Sequence, residues 1–177
     1  FYQAKWGDEF NSKNNTNDIF HGVNGDTNVT YMNKKLCQMY YYWHDDYSAV
    51  ALSLKNGSTM WFILPDEGKV TADVLNGGAY GEMISSGSGE EGWQNKKYMK
   101  VNLSVPKFDV SSTVNLKDGL NKMGVTKVFD MESADFTAIT SDSPVYVTAV
   151  NQSAKVEIGE KGVQAATYIE LPGCGSA

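Results

Sequence analysis

From Val163 to Leu171 the chain alternates with period two. Val163, Ala165, Thr167, Ile169 and Leu171 fall on one parity, and Gln164, Ala166, Tyr168 and Glu170 on the other. Successive side chains of a strand point to opposite faces of a sheet, so the segment is written as a strand with one small, apolar face. Glu170, the only charge after Gly162, lies on the opposite parity. Pro172-Gly173-Cys174-Gly175-Ser176-Ala177 then follows, a loop composition. On periodicity alone this is an edge strand, paired with Val145–Ile158 through a hairpin at Gly159–Gly162.

Earlier segments extend the β pattern. Leu36–Trp43, Ala49–Leu54 and Thr59–Leu64 are rich in aromatic and branched residues and are separated by Asp45-Asp46 and Asn56-Gly57. They predict a three-stranded antiparallel meander whose last two strands, apolar on both faces, need cover on both. Val145–Ile158 has no Gly or Pro and is far longer than the usual ~5–6 residue strand, which implies a tall sheet. Met99, Val101, Leu103 and Val105 alternate with polar residues as a half-buried strand. Asn11–Asp18 reads as a polar loop, Val23–Thr27 holds a turn, and Ser85–Gly89 is a surface loop. Helices are expected from Val70 to Leu75, and after Asn115, where Leu116, Leu120 and Met123 share a face and Gly124 ends the run. The fold class is α+β with β dominant.

Charge and composition remove several functions. Fifteen basic against twenty-one acidic residues give a net charge of −6, a poor match to phosphate backbones, so no nucleic-acid partner is expected. No run approaches the ~18 apolar residues of a spanning helix, and no membrane partner is expected. Cys37 and Cys174 form neither a disulfide framework nor a zinc motif. His44-Asp45-Asp46 reads as a solvated turn. The chain has no Gly-x-Ser-x-Gly elbow and no phosphate loop, so it is not expected to be an enzyme or to hold a cofactor or metal. It opens on a strand-like aromatic segment and closes on a loop, so it is expected to be a piece of a larger protein.

The order of residues then narrows the reading. Glu160-Lys161-Gly162-Val163-Gln164-Ala165-Ala166-Thr167 resembles the hinge of the serpins. Phe1-Tyr2-Gln3-Ala4-Lys5-Trp6 with Phe10, Phe20-His21 and Val29-Thr30-Tyr31-Met32 are similar to segments of that family, in order. So are Phe62–Gly68, Val105-Pro106-Lys107-Phe108, Leu116–Phe129 and Asp135-Phe136-Thr137-Ala138-Ile139. The matches span the whole chain.

That resemblance implies a serpin fold of which this chain is the β-rich C-terminal portion, lacking the N-terminal half and the last strands. Residues 1–177 would belong to one domain, with 160–177 as hinge and reactive-centre loop. The implied activity is suicide-substrate inhibition. A serine protease attacks the loop, an acyl-enzyme forms, and the cleaved loop inserts into the central sheet. Glu160, Gly162, Val163, Ala165, Ala166, Thr167, Ile169 and Leu171 would form the hinge and inserting strand, with Gly162 supplying a permissive backbone at the bend. Val163, Ala165, Thr167, Ile169 and Leu171 would face inward, and none is charged, as burial requires. Trp6 would sit where the loop enters the sheet. Gln152 stands where the family usually has a histidine that helps close the sheet, and it cannot titrate.

The reactive bond would follow Ser176 or Ala177. Either residue suits a shallow primary pocket, hence an elastase-like or subtilisin-like partner. Further partners would be the remaining fragments of the same cleaved protein, and the setting extracellular or the cell surface. Loop insertion would place Val163–Leu171 between the Phe1-side residues and Val145–Ile158. The alternative is a non-inhibitory serpin acting as a carrier, chaperone or storage protein.

Overall fold

A computed structural model describes residues 1–22, 24–87, 90, 92–141 and 144–175. Val23, Ser88, Gly89, Glu91, Asp142, Ser143, Ser176 and Ala177 lie outside them, and with them part of the predicted turn and surface loop and both reactive-bond residues. Two compact units are present, one of residues 3–108 and 158–163, the other of residues 1–2, 109–157 and 164–177.

The first unit holds β1 (Tyr2–Lys5, from Gln3 on), β2 (Thr16–Gly22), β3 (Gly25–Trp43), β4 (Tyr47–Ser53), β5 (Thr59–Pro65), α1 (Thr71–Gly77), α2 (Ala79–Ser85) and β6 (Lys96–Pro106). Strands β2-β3-β4-β5 are successive neighbours, and β6 also pairs with β3. The meander is therefore as expected from its sequence, but β3 is much longer. Its first half forms a hairpin with β2, running from Gly22↔Gly25 to Thr16↔Tyr31, and Gly25 takes φ +116° at the turn. The expected polar loop over Asn11–Asp18 is thus only a 3-10 turn at Ser12–Asn14. Thr16, Asn17 and Asp18 are strand residues because pairing with β3 overrides their weak β-propensity.

The helices cover one face of the meander. Val74 of α1 and Met83 of α2 pack with Tyr42, Tyr47 and Ala49, and Trp61, Ile63 and Tyr80 close the cluster. Such burial contributes roughly 1.5–3 kcal/mol for each large apolar side chain. The other face is covered unevenly: Val50, Leu52 and Leu54 are buried, but Leu64 is 69% exposed, against the expectation of cover on both faces. One irregularity interrupts β3. Its register with β6 shifts between Lys34 and Cys37, and Leu36 there adopts φ +55°.

The second unit holds β7 (Phe108–Asn115, from Asp109 on), α3 (Lys117–Lys122), β8 (Val145–Val147), β9 (Asn151–Gly159, up to Glu157), β10 (Gly162–Glu170, from Gln164 on) and β11 (Gly173–Gly175). Asn115 Oδ1 accepts from the Lys117 N–H at 2.9 Å and Gly124 takes φ +91° just past α3, but Leu116 stands at the N-cap with no side-chain cap bond, and Met123, expected on the apolar face, is 82% exposed. The single long strand expected over Val145–Ile158 is two strands. At the break, the Thr148 N–H and Oγ1 both donate to the Pro172 carbonyl, at 2.8 and 2.9 Å, and the Val150 carbonyl accepts from the Leu116 N–H at 2.8 Å. Those groups are therefore unavailable to the main ladder. β8 instead pairs with β11, with Gly173 opposite Val147. Within this unit the hydrogen-bonded strand order is β10-β9-β7.

Candidate functional site at the hinge turn

β9 and β10 are consecutive strands joined through Glu160 and Lys161, and the residues around this turn come from one unit. Three backbone-directed bonds fix it. The Trp6 N–H donates to the Lys161 carbonyl at 3.1 Å, the Phe10 N–H to the Glu160 carbonyl at 3.0 Å, and Trp6 Nε1 to the Gly159 carbonyl at 2.8 Å. Trp6 is wholly buried, with its ring edge-on to Phe10 at 5.8 Å and 6.1 Å from Phe62. A buried indole N–H needs an acceptor, and here the turn itself supplies it.

Glu160 is the electrostatic centre of the turn. Its Oε1 accepts from Asn15 Nδ2 at 2.7 Å and from Lys107 Nζ at 3.0 Å, and the Lys107 ammonium lies 3.0 Å from Oε2 as well. A bond from its own backbone N–H and then the Lys107 contact hold its carboxyl below the usual carboxylate range, while partial burial opposes them. Lys107 directly follows β6, and its N–H donates to the Thr30 carbonyl at 2.8 Å, which fixes where its side chain starts.

Gly162 is required for a different reason from the expected one. Its φ is not positive, so a left-handed backbone is not what selects glycine. A Cβ at this position would instead lie 2.1 Å from the Ala4 carbonyl oxygen and 2.9 Å from the Ala4 carbonyl carbon. The main chains approach too closely for any side chain.

Beyond the turn, the predicted alternation is present and then fades. Val163 is buried, Gln164 exposed, Ala165 half-buried and Ala166 exposed. From Thr167 onward every residue to Leu171 is exposed, and Ile169 and Leu171 reach 59% and 60%. The expected inward face is therefore largely exposed at Thr167, Ile169 and Leu171. Gln152 approaches β10 only loosely, with Nε2 3.5 Å from Thr167 Oγ1.

Sequence reading placed Trp6, Glu160, Gly162 and Val163 at this site and missed Asn15 and Lys107 as partners of Glu160. Lys107 lay within a quoted segment, Val105–Phe108, without a role. Asn15 gave no signal at all, being one of several asparagines in a polar run.

A family model described as serpin (serine protease inhibitor) matches residues 1–174. Alpha-1-antiproteinase of Bos taurus is 31% identical over 176 residues, covering 96% of this chain and 40% of that protein. An alpha-1-antitrypsin-like protein of Tamias sibiricus is 30% identical over 176 residues, covering 94% and 39%. Among solved structures, ovalbumin from emu (Dromaius novaehollandiae) superposes with a TM-score of 0.77 at 18% identity over 98% of this chain and 44% of that one. Cleaved kallistatin complexed with heparin gives 0.74 at 24% identity, over 96% and 50%. The chain spans about two-fifths of the length of the curated relatives it matches. At these identities the structural likeness establishes the fold.

Proposed function

Because the chain belongs to the serpin family, whose members generally inhibit serine proteases, we propose that it carries the hinge and reactive-centre loop of a suicide-substrate inhibitor. In this reading residues 1–177 form part of one domain and residues 160–177 are the hinge and loop. The target's serine attacks the loop after Ser176 or Ala177, the acyl-enzyme forms, and insertion of the segment after Glu160 traps it.

The observation that supports this reading most is the chemistry of β10. Its first residues are small or uncharged, Val163 is buried, Gly162 lies against Ala4 of β1, and the strand pairs with β9. A segment able to occupy a sheet interior in this way meets the main physical demand of insertion, since a charge on the inward parity would be costly to bury. The small residues near the chain's end favour an elastase-like or subtilisin-like target. Family likeness favours an extracellular or cell-surface setting.

The test uses the complete protein, mixed with an elastase-like protease and analysed on a denaturing gel. A band at the summed mass that survives SDS and boiling is expected, and mass spectrometry of the released peptide then identifies the bond. Cleavage without such a band across several protease classes would replace this reading with a non-inhibitory carrier, chaperone or storage role.

A further inference from the structure

We infer that His44 is a protonation-driven latch that fastens the β3–β4 turn to Trp93, just ahead of β6. The inference concerns a different part of the chain from the turn at Glu160, and it holds whether or not the protein traps a protease.

The sequence predicts a solvated turn at His44-Asp45-Asp46, but His44 is half-buried, and its Nδ1 is shut off from solvent with no hydrogen-bond partner. Such an atom is costly to leave unsatisfied. What surrounds the ring suits a cation. The imidazole stacks on Tyr47, with centroids 5.2 Å apart and planes at 18°, and lies 6.3 Å from the Trp93 ring. Asp46 Oδ2 is 3.8 Å from Nδ1, too far for a hydrogen bond to the neutral ring but within reach of an ion pair. A proton added to the ring sets an N–H donor and a charge opposite that carboxylate, and the two aromatic faces stabilise the charge. Tyr47 Oη is also buried without a partner, but the near-parallel stacking holds it out of the plane in which Nδ1 can bond.

The neighbouring charges are fixed. Lys69, between β5 and α1, contacts Asp46 Oδ1 at 2.6 Å and leaves Oδ2 facing His44. That contact holds the Asp46 carboxyl below its usual range. Burial raises the Tyr47 phenol, with Asp46 and Glu82 of α2 adding to it. Further negative charge comes from Asp45 in the turn, from Asp73 of α1, which acts on Lys69, and from Asp66, whose N–H donates to the Asp46 carbonyl at 2.9 Å. The Lys69 ammonium opposes an imidazolium, but Asp46 largely neutralises it. Between about pH 5 and 8 the imidazole is therefore the group in this cluster that changes charge. The His44 N–H donates to the Tyr47 carbonyl at 2.9 Å, closing the turn, and Trp93 Nε1 donates to the Trp43 carbonyl at 3.0 Å. A charged ring held by Asp46 on one side and Trp93 on the other protects both bonds at once.

Hydrogen exchange of the position-44 amide and of the Trp93 indole N–H in the complete protein, corrected for the intrinsic pH dependence of exchange, tests the latch. From about pH 8 to about pH 5, protection at both sites is expected to rise about tenfold, the equivalent of one charge-assisted bond. His44→Phe keeps a ring against Tyr47 but takes no proton, and it should abolish the step. Asp46→Asn should remove most of the step, and Lys69→Met should keep it. His21→Gln, at the only other histidine, should leave it unchanged. A flat profile in the wild-type protein, a step that survives in His44→Phe, or one that disappears in His21→Gln would each overturn the proposal. Where His44→Phe fails to fold, a full-sized step in Asp46→Asn overturns it equally.

Discussion

Gly162 and Ala4 meet main chain to main chain: a Cβ on the glycine would stand 2.1 Å from the Ala4 carbonyl oxygen. Real side-chain carbons do not approach backbone oxygen so closely, and neither partner is a flexible side-chain end that could give way. Gly162→Ala must therefore push β1 away from the start of β10. The loss should exceed the ~1–3 kcal/mol typical of overpacking, because backbone has to move. A fall of several degrees in the thermal midpoint is expected, with Trp6 fluorescence shifted to the red as its surroundings open. An unchanged midpoint would mean that the two chains do not touch.

The Glu160 carboxyl supplies a pH dependence whose sign is fixed. Its pKa in the folded protein is lowered, first by its own backbone N–H and then by Lys107. A depressed carboxylate stabilises the fold fully above its unfolded value, near ~4.3, and that contribution disappears as pH falls through the folded value. With the side chain partly exposed, the ionised form is worth about 1 kcal/mol. Glu160→Gln is expected to lower stability near neutral pH and to match the wild-type protein once the pH is low enough to protonate the folded carboxyl. A gap of equal size at both pH values, measured by denaturant titration, would assign the effect to shape and not to charge.

The turn at Glu160–Gly162 and the strand after it were legible because their signals are local. Gly162, the alternation from Val163 and the charge at Glu160 lie within a few residues of one another, and strand periodicity speaks directly about faces. What the sequence could not show was distance. Asn15 reaches Glu160 across 145 positions, and nothing in a run of asparagines marks one as a donor to a remote carboxylate. The split of Val145–Ile158 was hidden for a similar reason, since Thr148 is diverted by Pro172, a partner 24 residues away. Composition also misled over Thr16–Asp18: polar residues do form a strand when a long neighbour such as β3 offers its edge. The inward parity of Ile169 and Leu171 shows a further limit, because alternation predicts which way a side chain points but not what covers it.

Trp6 should contribute through two separable terms. Trp6→Phe keeps an aromatic ring against Phe10 and Phe62 but leaves the Gly159 carbonyl without the indole N–H that it accepts at 2.8 Å. The expected loss is about 1–3 kcal/mol for the orphaned acceptor. Trp6→Ala removes the packing as well and is expected to cost about 3–5 kcal/mol in all. Equal losses for the two variants, in parallel denaturant titrations of the complete protein, would show that the hydrogen bond carries the whole contribution and the ring none.

Leu36 offers the opposite case, a position where the native residue is the wrong one for its backbone. Its φ of +55° lies in the left-handed region, which costs an ordinary L-residue roughly 1–2 kcal/mol. The side chain is 62% exposed, so little burial offsets that cost. The bulge persists because the Leu36 N–H has a dedicated acceptor, Asn102 Oδ1 at 3.0 Å, in place of a ladder partner. Leu36→Gly removes the strain but adds freedom to the unfolded chain, a penalty of about 0.4–1 kcal/mol. The net expectation is a gain between zero and about 1.6 kcal/mol. Leu36→Val, β-branched and less tolerant of positive φ, is expected to be less stable than the wild-type protein. Asn102→Ala should destabilise by about 1 kcal/mol or more, by leaving the Leu36 N–H without its partner. If glycine and valine at position 36 shift the thermal midpoint alike, the left-handed backbone is not what limits stability at this bulge.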